Sequence, residues 1–117
     1  METQELITFF GTDCLKKNKD FYHRLLKLPI YKDQGKCLIY EVSNTAKIGF
    51  CSHMEVTAKE KSPIITFVVP DVDSCFEDLK SEGLSLLKKP ELNEFFKIYH
   101  FFIRDPDNYF LEFQKFL

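Results

Sequence analysis

The order strand–helix–strand–strand–strand is written twice along this chain, and that repetition constrains the fold more than any single motif. Residues 6–12 form a short apolar, β-prone run. Asp13 is placed to cap a helix in which Leu15, Phe21, Leu25 and Leu26 recur at helical spacing, while Lys16, Lys17, Lys19 and Asp20 face out. Pro29 ends that helix. Strands are predicted at 30–33, 36–42 and 46–52, joined by the turns Asp33-Gln34-Gly35 and Ser43-Asn44-Thr45. The polar, charged stretch 57–61 reads as a linker. The pattern then restarts with a strand at 64–69. Pro70-Asp71 opens a helix with Val72, Cys75, Phe76 and Leu79 on one face, and Gly83 closes it. Further strands are predicted at 84–88, 95–104 and 109–116. Ile7 and Ile64 mark an interval of about 57 residues, a duplication scale that decides the architecture. The expectation is an α+β fold in one domain, 1–117. Two βαβββ modules, about 4–56 and 62–117, pair into a curved mixed sheet. The helices cover its convex side, and a cleft forms on its concave side.

The last strand pair carries the sharpest local signal. Apolar runs flank Asp105-Pro106-Asp107-Asn108, where Pro fixes φ and Asp and Asn bond their own backbone and tolerate φ > 0. The hairpin places Glu112 in an otherwise apolar strand. A buried Glu is costly unless it is paired, protonated or bound to a metal.

Composition excludes several classes. A net charge of −2 leaves no electrostatic footprint for nucleic acid or an anionic membrane. No apolar run approaches the ~18 residues a membrane span requires. The polar, acidic start Met1-Glu2-Thr3-Gln4-Glu5 is unlike a secretory signal, so the cytoplasm is the expected compartment. Cys14, Cys37, Cys51 and Cys75 lack CxxC spacing, which argues against a zinc finger or dithiol motif and favours free thiols. Thirteen Phe and no Trp point to a Phe-lined interior, either packed solid or left partly open.

Ile64-Ile65-Thr66-Phe67-Val68-Val69-Pro70-Asp71-Val72, the Lys88-Lys89-Pro90 step and Asp105-Pro106-Asp107-Asn108-Tyr109-Phe110-Leu111-Glu112 resemble the second half of glyoxalase I. Asp20-Phe21-Tyr22 followed by Leu25-Leu26-Lys27-Leu28-Pro29 resembles the matching helix of its first half. The whole chain is similar to the vicinal oxygen chelate superfamily: glyoxalase I, extradiol dioxygenases, fosfomycin-resistance proteins and bleomycin-binding proteins. The resemblance implies a divalent metal in the cleft, held by the first and last strands of each module, with open positions for two substrate oxygens. Carried over, those four positions read Ile7 (or Leu6), Gly49, Ile64 and Glu112. One carboxylate does not hold a divalent ion against water, since such sites use about three or four N, O or S ligands. No cofactor is therefore expected, and a divalent metal is disfavoured.

Strand alternation lists what should share a face with Glu112. On its own strand these are Phe110 and Gln114, and on the neighbouring strand His100 and Phe102. From the first module come Phe9, Cys37, Ile39, Glu41, Lys47, Gly49 and Cys51. This set, with Ile64, is an apolar, aromatic lining with few polar groups, as in small-molecule sites. His100 and Glu112 are expected to pair, either as general acid and base or as a satisfied polar pair, and the satisfied pair is favoured. A rearranged metal site from His100, Glu112, Glu41 and Cys51 is chemically legitimate, but no spacing demands it. Cys51 and His53 form a weak Cys-x-His ligand signal, and a surface histidine at a strand end is the favoured reading. His23 is expected to be an exposed helix residue, and Cys14 and Cys75 small buried groups. Phe10, Phe67, Phe76, Phe101, Phe113 and Phe116 are assigned to helix–sheet core, and Phe95-Phe96 to a rim or interface.

Three functions fit. The favoured one is a metal-free protein of the bleomycin-resistance type that binds a small organic molecule as a homodimer, with neither nucleic acid nor membrane as partner. The alternative is a glyoxalase-like lyase or isomerase, or a dioxygenase-related enzyme, using Glu112 with His100 and a rearranged metal site. The third is a module whose cleft is filled by its own side chains.

Overall fold

A computed structural model describes residues 1–84 and 88–117. The chain forms two compact units, Met1–Thr57 and Ala58–Leu117. The first contains β1 (Leu6–Gly11), α1 (Leu15–Lys19) running into a π-type segment (Asp20–Leu25), β2 (Ile30–Asp33), β3 (Cys37–Ser43) and β4 (Ala46–Cys51). The second contains β5 (Ile64–Val68), α2 (Val72–Ser81), β6 (Glu91–Asn93), β7 (Ile98–Arg104) and β8 (Phe110–Phe116). The sheets are ordered β1-β4-β3-β2 and β5-β8-β7-β6, the same permutation written twice. In each, the first and last strands run parallel and the remaining pairs antiparallel. The registers correspond as well: Phe9 stands beside Gly49 in the first unit, and Thr66 beside Glu112 in the second.

Each unit has its own aromatic core. In the first, Tyr22 from the π-type segment stacks on Phe50 at 4.4 Å and on Tyr40 at 5.5 Å. In the second, Phe113 stacks on Phe67 and Phe101, and Phe76 of α2 meets Phe101 edge-on at 5.4 Å. Offset and edge-to-face pairs of this kind add to the area they bury. Alternation thus assigned Phe67, Phe76, Phe101 and Phe113 as the structure does. Phe116 differs: it is exposed at the end of β8.

Local capping follows sequence in one helix and not in the other. Asp71 caps α2, its Oδ1 accepting the Ser74 N–H at 3.0 Å. At α1 the cap position is Cys14, not Asp13, and it makes no side-chain cap bond. The first helix then widens. The Leu26 N–H donates to the Phe21 carbonyl five residues back. His23, exposed as expected, bonds the Leu28 carbonyl through Nδ1 at 2.8 Å.

The strand predicted at 95–104 is instead two elements. Asn93 Oδ1 accepts the Phe96 N–H at 3.0 Å and Lys97 takes φ 55°, so 94–97 is the turn between β6 and β7. Phe95 and Phe96 are β-prone by type, but they sit at the hairpin tip, 86% and 66% exposed. The strand predicted at 84–88 lies largely on 85–87, outside the described residues. Among the described residues no helix is long and apolar enough to cross a membrane.

Candidate functional site

β8 and its neighbours build the site in the second unit. The parallel register sets Thr66 of β5 beside Glu112, and the antiparallel register sets Phe102 of β7 on its other side. Thr66 Oγ1 donates to Glu112 Oε1 at 2.8 Å, and His100 Nδ1 lies 2.6 Å from Oε2. Both carboxylate oxygens are therefore bonded within the unit, and Glu112 and His100 are buried. This is how a chain keeps a carboxylate in an apolar strand: its acceptors are filled. The contact engages His100 through Nδ1, which leaves Nε2 as the ring nitrogen for a ligand.

His100, Phe102 and Phe110 line a concavity of about 280 Å³ whose rim carries Lys61, Lys88 and Lys89, with Glu91 the acid among them. His100 meets Phe102 edge-on at 5.2 Å, and Phe102 meets Phe110 edge-on at 6.0 Å. Lys61 Nζ stands 4.5 Å from the Phe102 ring centre, and the Arg104 guanidinium 4.4 Å from that of Phe110. The result is an aromatic floor under cationic side chains.

Sequence reasoning placed Phe102, Phe110, Glu112, Gln114 and His100 on one face, and the registers agree. It missed Thr66: the resemblance named Ile64 on this strand, and alternation was not carried on from it, whereas Ile64 is exposed and pairs with Phe110 rather than Glu112. Lys61 was read as linker, Lys88 as the end of a strand, and Lys89 only as part of the Lys88-Lys89-Pro90 step of the resemblance.

The first unit arranges its candidates differently. Gly49 lies beneath the ring of Phe9; a Cβ there would stand 2.6 Å from that ring. Ile39 is buried, and Glu41 is half-buried opposite Lys47. Lys47 Nζ donates to the Asn44 carbonyl at 2.6 Å, stands 3.8 Å from the Glu5 carboxylate, and lies 4.7 Å over the Tyr31 ring. Cys37 and Cys51 are not free thiols: they form a disulfide. The antiparallel register sets them directly opposite, with Cα atoms 4.1 Å apart, a relation that spacing in the sequence does not display. Cys14 and Cys75 are free and half-buried. Burial, with Asp78 and Asp71 nearby, pushes the Cys75 thiol pKa up.

The metal that the resemblance implies finds no matching donor set. Ile7 and Ile64 offer alkyl groups, Gly49 offers no side chain, and Glu112 is bonded by Thr66 and His100. The rearranged set of His100, Glu112, Glu41 and Cys51 fares no better, since the Cys51 sulfur is in a disulfide and Glu112 is already engaged.

Two βαβββ modules with identically permuted four-stranded mixed sheets define a glyoxalase-like α+β protein. The chain belongs to the glyoxalase/bleomycin resistance protein/dioxygenase superfamily, whose family model matches residues 7–113. No curated protein matches it. Among solved structures it is similar to a glyoxalase/bleomycin resistance protein/dioxygenase from Nocardioides, with 14% identity and TM-score 0.77, covering 100% of this chain and 85% of that one. It is similar to a glyoxalase/bleomycin resistance protein from Catenulispora acidiphila, with 14% identity and TM-score 0.78, covering 98% and 100%. An integron cassette protein from the mobile metagenome of the Halifax Harbour sewage outfall matches with 19% identity and TM-score 0.78, covering 95% and 97%. At these identities the likeness concerns the fold.

Proposed function

We propose that this protein binds a small organic anion with an aromatic or apolar body, without a metal, in the concavity of its second unit. The observation that carries the reading is the set of Lys61, Lys88, Lys89 and His100 around Phe102 and Phe110. The aromatic floor takes the apolar body, and the cations take a carboxylate or similar group. A cationic ligand of the bleomycin kind does not suit this rim. Homodimerisation and a cytoplasmic location belong to the same proposal.

Calorimetric titration with 2-naphthoate, in chelator-treated buffer, tests it. Saturable one-site binding that Lys88→Glu with Lys89→Glu weakens at least tenfold supports the reading. Equal binding of the neutral 2-naphthylmethanol, or none of either compound, sinks it.

The His100–Glu112 pair favours a second reading, a lyase or isomerase acting on a carbonyl compound. A histidine held by a carboxylate through Nδ1 is a general base through Nε2. Turnover of an α-keto acid or its adduct, lost in Glu112→Gln with the fold intact, would establish it.

A further inference from the structure

We propose that Cys37, Cys51 and His53 form a redox-gated binding site for a thiophilic metal ion, with Zn²⁺ as the probe. It lies in the first unit and does not rest on the proposed anion binding. The β3–β4 register puts the two sulfurs opposite each other, and His53 follows β4 by two residues, in the turn that leaves it. One donor atom from each of the three residues lies within 4.8 Å of the other two. A tetrahedral ion with Zn–S near 2.3 Å and Zn–N near 2.0 Å needs donors about 3.5–3.8 Å apart. Separating the sulfurs to that distance takes side-chain rotation and no change of register.

Three further observations support the site. Its donors are two sulfurs and an imidazole, the set that suits Zn²⁺ or Cu⁺ and does not suit Mg²⁺ or Ca²⁺. Cys37 and Cys51 are 7% and 2% exposed while His53 is exposed, so the two cysteines sit out of bulk water and the imidazole lies at the solvent side. The turn bearing His53 is pinned. The Ser52 N–H donates to the Lys36 carbonyl at 2.8 Å, and the Cys51 carbonyl accepts from Met54 and Thr12 N–H groups. Three protein donors leave a fourth position open to water or an exogenous ligand.

The disulfide and the metal compete for the same sulfurs, which makes the site a switch. A dithiol reductant gives two electrons and two protons to the Cys37–Cys51 bond and becomes a disulfide itself. Two thiols result. Zn²⁺ then displaces both thiol protons and is held as a dithiolate–imidazole complex. Exchange with an oxidised dithiol reverses the sequence and releases the ion.

The test uses the full chain with Cys14→Ala and Cys75→Ala, so that no other thiol contributes. Protein reduced with a phosphine, without oxygen, is titrated with Zn²⁺ against a chromogenic chelator, and with Co²⁺ to read thiolate charge-transfer absorption. One equivalent is expected to bind the reduced form and none the oxidised form, with His53→Ala weakening binding at least tenfold. His53 is exposed, so that variant keeps its fold, and His23→Ala serves as the control. Adding Cys51→Ser abolishes binding. The proposal is overturned if the oxidised form binds equally, if the reduced form takes up no ion, or if His53→Ala binds as tightly as its parent.

Discussion

The Tyr40 hydroxyl donates to Asn18 Oδ1 at 2.7 Å, and both residues are fully buried in the first unit. Asn18 Nδ2, beside it, has no partner among the described residues. Burial pushes the phenol pKa far above its ordinary 10. The sign follows: the folded state keeps the proton while the unfolded state loses it. The contribution is fully present below pH 10 and is lost as pH rises beyond it. Tyr40→Phe strands the second polar atom of the amide, at a cost of about 1–3 kcal/mol at pH 7. It also flattens the fall in stability above pH 10. Urea unfolding of both proteins at pH 7 and pH 10.5 measures this, and an unchanged alkaline slope in the variant would contradict it. None of this was legible in the sequence, because Asn18 and Tyr40 meet only through tertiary packing. Asp105 is the opposite case. Its Oδ1 accepts the N–H groups of Asp107 and Tyr109, each at 2.9 Å, and Asn108 takes φ 69°. That chemistry is local, so four letters of sequence announce it. Thr66 falls between the two. Alternation from Ile64 reaches it, yet only the parallel register shows that it meets Glu112.

Among the elements, β1 and β4 make a close seam, and two glycines on it respond differently to substitution. At Gly11 a Cβ would collide with the backbone carbonyls of Glu55 and Met54, which cannot turn aside. At Gly49 it would collide with the ring of Phe9, a residue 41% exposed whose side chain can turn toward solvent, and would otherwise make an ordinary 3.5 Å contact with Ile39. Gly11→Ala is therefore expected to cost about 3 kcal/mol or more, and Gly49→Ala less than about 1 kcal/mol, because the relief available to each differs. Chemical denaturation ranks them, and equal losses would show that the seam is not as rigid as drawn. The elements themselves were largely readable. β2, β3, β4 and β5 fall within a residue or so of expectation because their alternating runs end at turn-forming residues. Where reading failed, two principles competed. Phe95-Phe96 favours strand by residue type, but Asn93 captures the Phe96 N–H and folds a turn. In the first helix, apolar spacing brings Phe21, Tyr22 and Leu25 inward whether the turns are α or π. The period alone therefore did not reveal the widening.

On the scale of the whole molecule, the duplication was visible because both units repeat one hydrophobic order, and the matched strand permutation is its structural counterpart. Charge was less transparent. The formal balance of −2 is a sum over all 117 residues and hides where the cations lie. Lys61, Lys88 and Lys89 gather at one concavity in the second unit, whose described lining also includes Glu91. Screening reaches about 8 Å at physiological ionic strength, so a bound anion senses those lysines far more than the dispersed acidic surface. The affinity of an aromatic carboxylate is thus expected to fall roughly tenfold as salt rises from about 20 to 500 mM, while a neutral isostere shows no such slope. Lys88→Gln with Lys89→Gln removes most of the dependence and leaves the contact with Phe102 and Phe110 in place. Titrations at four salt concentrations decide the matter. A salt-independent affinity, or a slope that survives loss of both lysines, would mean that net charge rather than the local rim governs what this protein takes up.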